Sequence, residues 1–179
     1  NCGGETATLY FGGGTPSMLS DTHLGRLMET LDRLVPVDKL DEFSFEANPA
    51  TFTEKKVRFW RSLGMTRVSL GVQSLDSGIL HLLGREHTPA QALHSVEMLK
   101  NAGMPHINMD LMFAIPGQTL SIWEATLKEA VRAGTDHISA YNLTYEEDTE
   151  FFRSLLRGEK RQDPDEDAAF FELAEHMLE

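Results

Sequence analysis

The sequence has a single cysteine, Cys2, among 179 residues. That scarcity excludes an internal disulfide and any all-cysteine metal site built from this chain alone. Cationic residues are also few: 16 Lys and Arg stand against 28 Asp and Glu, for a net charge of -12. A phosphate backbone needs clustered Lys and Arg, so nucleic acid is not expected as the main partner. Long apolar runs are missing too. None approaches the roughly 20 residues that cross a bilayer, and no basic stretch followed by an apolar one suggests a secretory leader. No transmembrane segment and a cytoplasmic location are therefore expected. What remains, 41% hydrophobic and 25% charged residues, is the composition of a globular domain with a core of its own.

The chain alternates extended runs with amphipathic ones. Residues 6–11 read as a strand and lead into Gly12-Gly13-Gly14-Thr15-Pro16. Three glycines remove every Cβ from that turn, so backbone N–H groups can approach a carboxylate or phosphate closely. Turn chemistry alone also explains glycine and proline there. A helix follows over 21–34, capped by Ser20 or Asp21, with Leu24, Leu27, Met28, Leu31 and Leu34 at three- and four-residue spacing. Strands are expected at 42–47, 67–72, 107–113 and 137–143. Between them lie helices near 53–63, 76–83, 90–101 and 120–133, each with a polar cap before it or a glycine after it.

Five strands separated by helices imply a parallel sheet, hence an α/β fold. The glycine turn lacks the G-x-G-x-x-G spacing of a dinucleotide fold, and an open, partial TIM-like βα barrel fits better. A complete barrel takes roughly 250 residues. Alternation along the strands agrees with this. Ser44 and Glu46, Ser69, Gly71 and Gln73, Asn108, Asp110 and Met112, and Ser139 and Tyr141 fall on one face, with apolar residues opposite. Ligand groups of a barrel collect at the C-terminal strand ends, which puts Glu46, Gln73, Asp110 and Tyr141 there.

Bland readings stand beside each of these. Glu46 could be an ion-pair partner of Arg67 or Arg85, Gln73 could satisfy backbone groups, and Arg85 could be a surface residue. Met112 and Tyr141 could be packing residues, and His87 could bond a loop carbonyl. Residues 1–145 are expected to form the partial barrel. Residues 146–179 are expected to form a charged connection and the start of a C-terminal helical region. There Asp163-Pro164 opens a helix whose stripe of Phe170, Leu173, Ala174 and Met177 has little to cover it.

Gly12-Gly13-Gly14-Thr15-Pro16, Glu46-Ala47-Asn48-Pro49, Gly71-Val72-Gln73-Ser74, Leu83-Gly84-Arg85-Glu86-His87, Asp110-Leu111-Met112 and Pro116-Gly117-Gln118-Thr119 occur in this order. Together they resemble the radical S-adenosylmethionine (SAM) family around oxygen-independent coproporphyrinogen III oxidase, also called the dehydrogenase. Within it the chain looks more like the haem chaperone branch. The dehydrogenase would more typically show Asp in place of Asn48 and Ser74, and Asn in place of Gly84. A true dehydrogenase that converts propionates to vinyls, and a barrel that only binds, are the alternatives.

The resemblance implies SAM bound at the upper end of the barrel beside a [4Fe-4S] cluster, with haem or a porphyrin, and a haem-receiving protein, as further partners. By position, Gly13, Gly14 and Thr15 would meet the methionine end with Glu46 and Arg85 nearby. Gln73 and Asp110 would take the ribose hydroxyls, and Met112, with Tyr141 and Asn142, would flank the adenine. The family holds its cluster with three cysteines upstream of Gly-Gly-Gly-Thr-Pro, and this chain has one cysteine in all. The resemblance therefore implies that the barrel's first βα unit is missing from residues 1–145, and the chain as it stands is expected to bind no cluster and to generate no radical. No catalytic residue and no metal ligand is assigned in it. Phe113-Ala114-Ile115-Pro116 departs from the family's more usual Tyr-Gly-Leu-Pro.

Overall fold

The structure is a computed structural model that describes residues 7–143 and 164–179. Cys2, the connection after Leu143 and the expected cap Asp163 lie outside the described residues. Five strands, β1 (Thr8–Phe11), β2 (Glu42–Ala47), β3 (Arg67–Gln73), β4 (His106–Phe113) and β5 (His137–Asn142), form one sheet in the order β1-β2-β3-β4-β5. All four pairings are parallel, as βαβ crossovers require.

The crossovers are α1 (Asp21–Leu31), α2 (Glu54–Ser62), α3 (Ser77–Leu82) with α4 (Pro89–Asn101), and α5 (Leu120–Ala133); α6 (Pro164–Leu178) follows. Their starts are set locally. Ser20, Thr53, Asp76, Thr88 and Thr119 each accept a hydrogen bond from the backbone N–H three residues on, satisfying donors the first turn leaves open. Thr88 and Gln91 form a reciprocal capping box. Gly134 closes α5 in the left-handed conformation at φ 62°.

The apolar face of the sheet, Phe43, Phe45, Val68, Leu70, Ile107, Met109 and Leu111, is buried under the helices. Trp60 from α2 packs 4.8 Å from Phe45 between ring centroids, and Trp123 from α5 packs 5.7 Å from Phe113. Burial of each such side chain stabilises the fold by about 1.5–3 kcal/mol.

Two expectations are corrected. The helix expected over 21–34 ends at Leu31, and the buried positions in it are Leu24 and Met28. Leu27 is 41% and Leu34 76% exposed. Leu24, Met28 and Leu31 take the inward stripe at spacings of four and three, which leaves Leu27 on its flank. The stripe of α6 is also covered. Phe170 (1% exposed) and Ala174 belong to the main core, with Leu173 and Met177 against it. The indole N–H of Trp123 donates to the Phe170 carbonyl at 3.0 Å, so α6 shields α5 and completes the helical layer on that side.

Candidate functional site

Parallel register brings the polar face into rows. Glu46 lies beside Ser69 and Ser69 beside Asn108; one step further along, Gly71 lies beside Asp110 and Asp110 beside Ser139. At the C-terminal strand ends these rows open into a polar pocket of about 280 Å³. Gly14, Thr15, Glu46, Gln73, Arg85 and Asp110, six of the eight expected residues, line it together with Asn48, Ser69 and Gly71. Gly13 joins through its N–H, which donates to Glu46 Oε2 at 2.8 Å. Met112 is not brought in; it packs against the small apolar cluster of Ile79, Ile115 and Leu143.

Glu46 has no ion-pair partner among the described residues. Arg67 pairs instead with Glu42 at 2.7 Å. The other donor to Glu46 is the Tyr10 hydroxyl, which bonds Oε1. Sequence reasoning missed Tyr10, although alternation offered a signal: Leu9 and Phe11 pack against the core, which sends Tyr10 to the polar face.

Asp110 is held by Ser69 Oγ at 2.8 Å and Asn108 Nδ2 at 2.7 Å, with the Tyr141 hydroxyl at 3.5 Å. Burial pushes its carboxyl above the usual range. Hydrogen bonding from Ser69, Asn108 and Ser139 pulls it back, and the Glu46 charge adds to the rise. Arg85 is half-buried, and its guanidinium has no hydrogen-bond or ion-pair partner among the described residues; burial lowers its pKa. His87 is buried, with Nε2 3.1 Å from the Val72 carbonyl, which is the structural reading of that residue.

Gln73 departs from simple alternation. It has φ 66°, and the β3–β4 register shifts between Gly71 and Gln73. Its amide folds back so that Nε2 would lie 3.1 Å from a Cβ added at Gly71. Asn142, expected near the adenine, donates to Asp167 of α6 at 3.1 Å.

The two loops flanking Glu46 are tied together. Asn48 Nδ2 donates to Thr15 Oγ1 at 3.3 Å, the Asn48 N–H donates to Ser17 Oγ at 3.3 Å, and Lys56 Nζ donates to the Ser17 carbonyl at 2.6 Å. The pocket is thus preorganised. An anchored carboxylate with outward lone pairs accepts an ammonium, an unpartnered guanidinium accepts a carboxylate, and Asp110 with Gln73 can hold a vicinal diol.

Comparison with known proteins follows the same lines. The Radical SAM superfamily model matches residues 3–130. The heme chaperone HemW of Lactococcus lactis is 37% identical over 151 residues, which are 84% of this chain and 40% of that protein. The heme chaperone HemW of Bacillus subtilis is 34% identical over 177 residues, 98% of this chain and 47% of that protein. The chain thus spans less than half the length of these relatives. Coproporphyrinogen III oxidase (HemN) from Escherichia coli, a radical SAM enzyme, superposes with a TM-score of 0.81 at 23% identity, covering 96% of this chain and 40% of that one. That likeness bears out the open, TIM-like parallel βα architecture. With more than half of its residues matched by the family model and its strands in barrel order, this chain belongs to the Radical SAM superfamily.

Proposed function

We propose that this chain is the SAM-binding part of a haem chaperone of the HemW type, acting in haem metabolism. The observation that carries the reading is the pairing of opposite, complementary groups across one pocket. Glu46 is anchored for a cation, and the half-buried Arg85 waits without a partner for an anion. A free amino-acid headgroup presents both charges at once. A half-buried guanidinium left unpaired is costly unless a ligand completes it. Asp110 and Gln73 line the same pocket, and a carboxylate with an amide suits a sugar diol attached to that headgroup. The residues present therefore fit SAM, whose sulfonium would supply the reductively cleavable bond when a cluster is beside it.

The residues present do not fit the cluster itself. Three thiolates are required, one cysteine is in the sequence, and the described residues contain no group of three or more metal-ligating side chains. No radical step is derived from this chain. Its own part is to bind and orient. Haem as cargo rests on the HemW relatives, and among the described residues no helix is long and apolar enough to cross a membrane.

The test is haem and SAM binding by the full-length protein after anaerobic reconstitution with iron and sulfide. Stoichiometric haem binding without turnover of coproporphyrinogen III is the expected result. Turnover to the divinyl product would replace this reading with the dehydrogenase.

A further inference from the structure

We propose that Tyr10 is a positioning residue that clamps Glu46 in its cation-accepting orientation, and that position 12 is glycine to make room for the clamp. This rests on the proposed SAM reading and assigns roles to two residues outside the pocket lining. Glu46 is fixed on both oxygens: the Tyr10 hydroxyl donates to Oε1, and the Gly13 N–H donates to Oε2 at 2.8 Å. Two donors from opposite sides set the plane of the carboxylate and leave its outward lone pairs for a ligand cation. Ordering a glutamate costs side-chain entropy, and the clamp moves that cost from binding to folding.

The three glycines of the turn separate by cause. Gly13 and Gly14 have φ 85° and 63°, which alone favours glycine, and a Cβ added at either would meet nothing within 4 Å. Gly12 has no positive φ to explain it. A Cβ there would lie 2.3 Å from Tyr10 Cε1, 3.0 Å from Tyr10 Cζ and 2.9 Å from Glu46 Oε1. Any other residue would push the ring, and its hydroxyl, off the carboxylate. Tyr10 is 59% exposed on β1, and its hydroxyl bonds Glu46.

The titratable groups around Glu46 are Tyr10 from β1, Arg85 from the loop after α3 and Asp110 from β4, with Tyr141 of β5 acting on Tyr10. Burial first, then Glu46, raises the phenol's pKa, so Tyr10 stays a donor at neutral pH. Loss of that donor frees one oxygen of the Glu46 carboxylate, so its orientation is no longer fixed before a ligand arrives.

The test uses the full-length reconstituted protein as wild type, Tyr10→Phe, Gly12→Ala and the double variant. SAM affinity is measured by equilibrium dialysis at neutral pH. Tyr10→Phe is expected to weaken binding about tenfold, the size of one hydrogen bond to a charged group. Gly12→Ala should do the same. The double variant should bind no more weakly than the weaker single variant, since both act through one contact.

A ligand-independent reading accompanies it. The side-chain carboxyl 13C signal of Glu46, assigned by its loss in Glu46→Gln, is recorded in ligand-free protein at neutral pH. It should shift in Tyr10→Phe and in Gly12→Ala, because a donor to the carboxylate is lost. An unchanged signal in Tyr10→Phe overturns the clamp, even where melting temperature falls, and so do additive losses in the double variant. Failure of the wild type to bind SAM would sink the proposed function alone, because the Glu46 signal still decides the clamp.

Discussion

Asp110 sits where burial opposes its charge and three side chains compensate for it, with Glu46 adding a second negative charge to the same pocket. Its folded pKa lies above the ordinary carboxylate value, so the folded state holds its proton more tightly than the unfolded chain. Stability from this group is therefore greatest at low pH and falls as pH rises from the ordinary value through the raised one. Asp110→Asn is expected to flatten that fall and to raise the melting temperature at neutral pH, while SAM affinity drops at least tenfold; thermal melts at acid and neutral pH and equilibrium dialysis check the two halves. A residue that costs stability and keeps a ligand is common at functional sites. Glu46 and Asp110 were legible in the sequence because each lies near the end of a strand whose alternation is regular; Gln73, where β3 breaks its alternation, and Arg85, in the loop after α3, were singled out by the motifs that contain them. Tyr10 was readable by the same alternation. Its partnership with Glu46 was not, because a contact across 36 residues depends on how far β1 is offset against β2.

The strand ends carry the backbone irregularities. Among the described residues, three non-glycine residues have positive φ, Ala50, Gln73 and Ala114, and they lie after β2, at the end of β3 and after β4. Such strain gathers where loops must turn sharply around a site. Helix starts were legible because capping is local chemistry: Ser20, Thr53, Asp76, Thr88 and Thr119 all cap as their positions suggest. Nothing local marks Gln73 as left-handed, and the register shift beside it was invisible for that reason.

Two predictions belong to this scale. Gly71→Ala would place a Cβ 2.8 Å from Asn48 Oδ1 and 3.1 Å from Gln73 Nε2. It should lower SAM affinity at least tenfold with a small change in melting temperature, since both neighbours are side-chain ends. Ala114 has φ 56° at the position where the resembling family more usually has glycine. Ala114→Gly should stabilise the fold by up to about 1 kcal/mol, read as a higher urea midpoint, because the left-handed conformation is strained for a residue with a Cβ.

Across the whole chain, fold and site share one sheet with two faces. The apolar face, with Phe43, Phe45, Leu70 and Met109, holds the helices; the polar face, with Glu46, Ser69 and Asp110, builds the pocket. That division was legible from period-two alternation alone. The docking of α6 was not, since its stripe lies far along the chain from Trp123, whose indole bonds the Phe170 carbonyl. Phe170→Ala should destabilise the chain by about 3–5 kcal/mol, measured by urea denaturation, while leaving the pocket residues of the sheet in place.

The central claim is that the pocket at the ends of β2, β3 and β4 receives the amino-acid headgroup of SAM between Glu46 and Arg85. Equilibrium binding of SAM to the reconstituted full-length protein, wild type against Arg85→Ala, tests it most directly. The account predicts measurable wild-type binding and a loss of about 10- to 150-fold in the variant, the worth of charged hydrogen bonds. Equal affinity in the two proteins, with both folded, would contradict it.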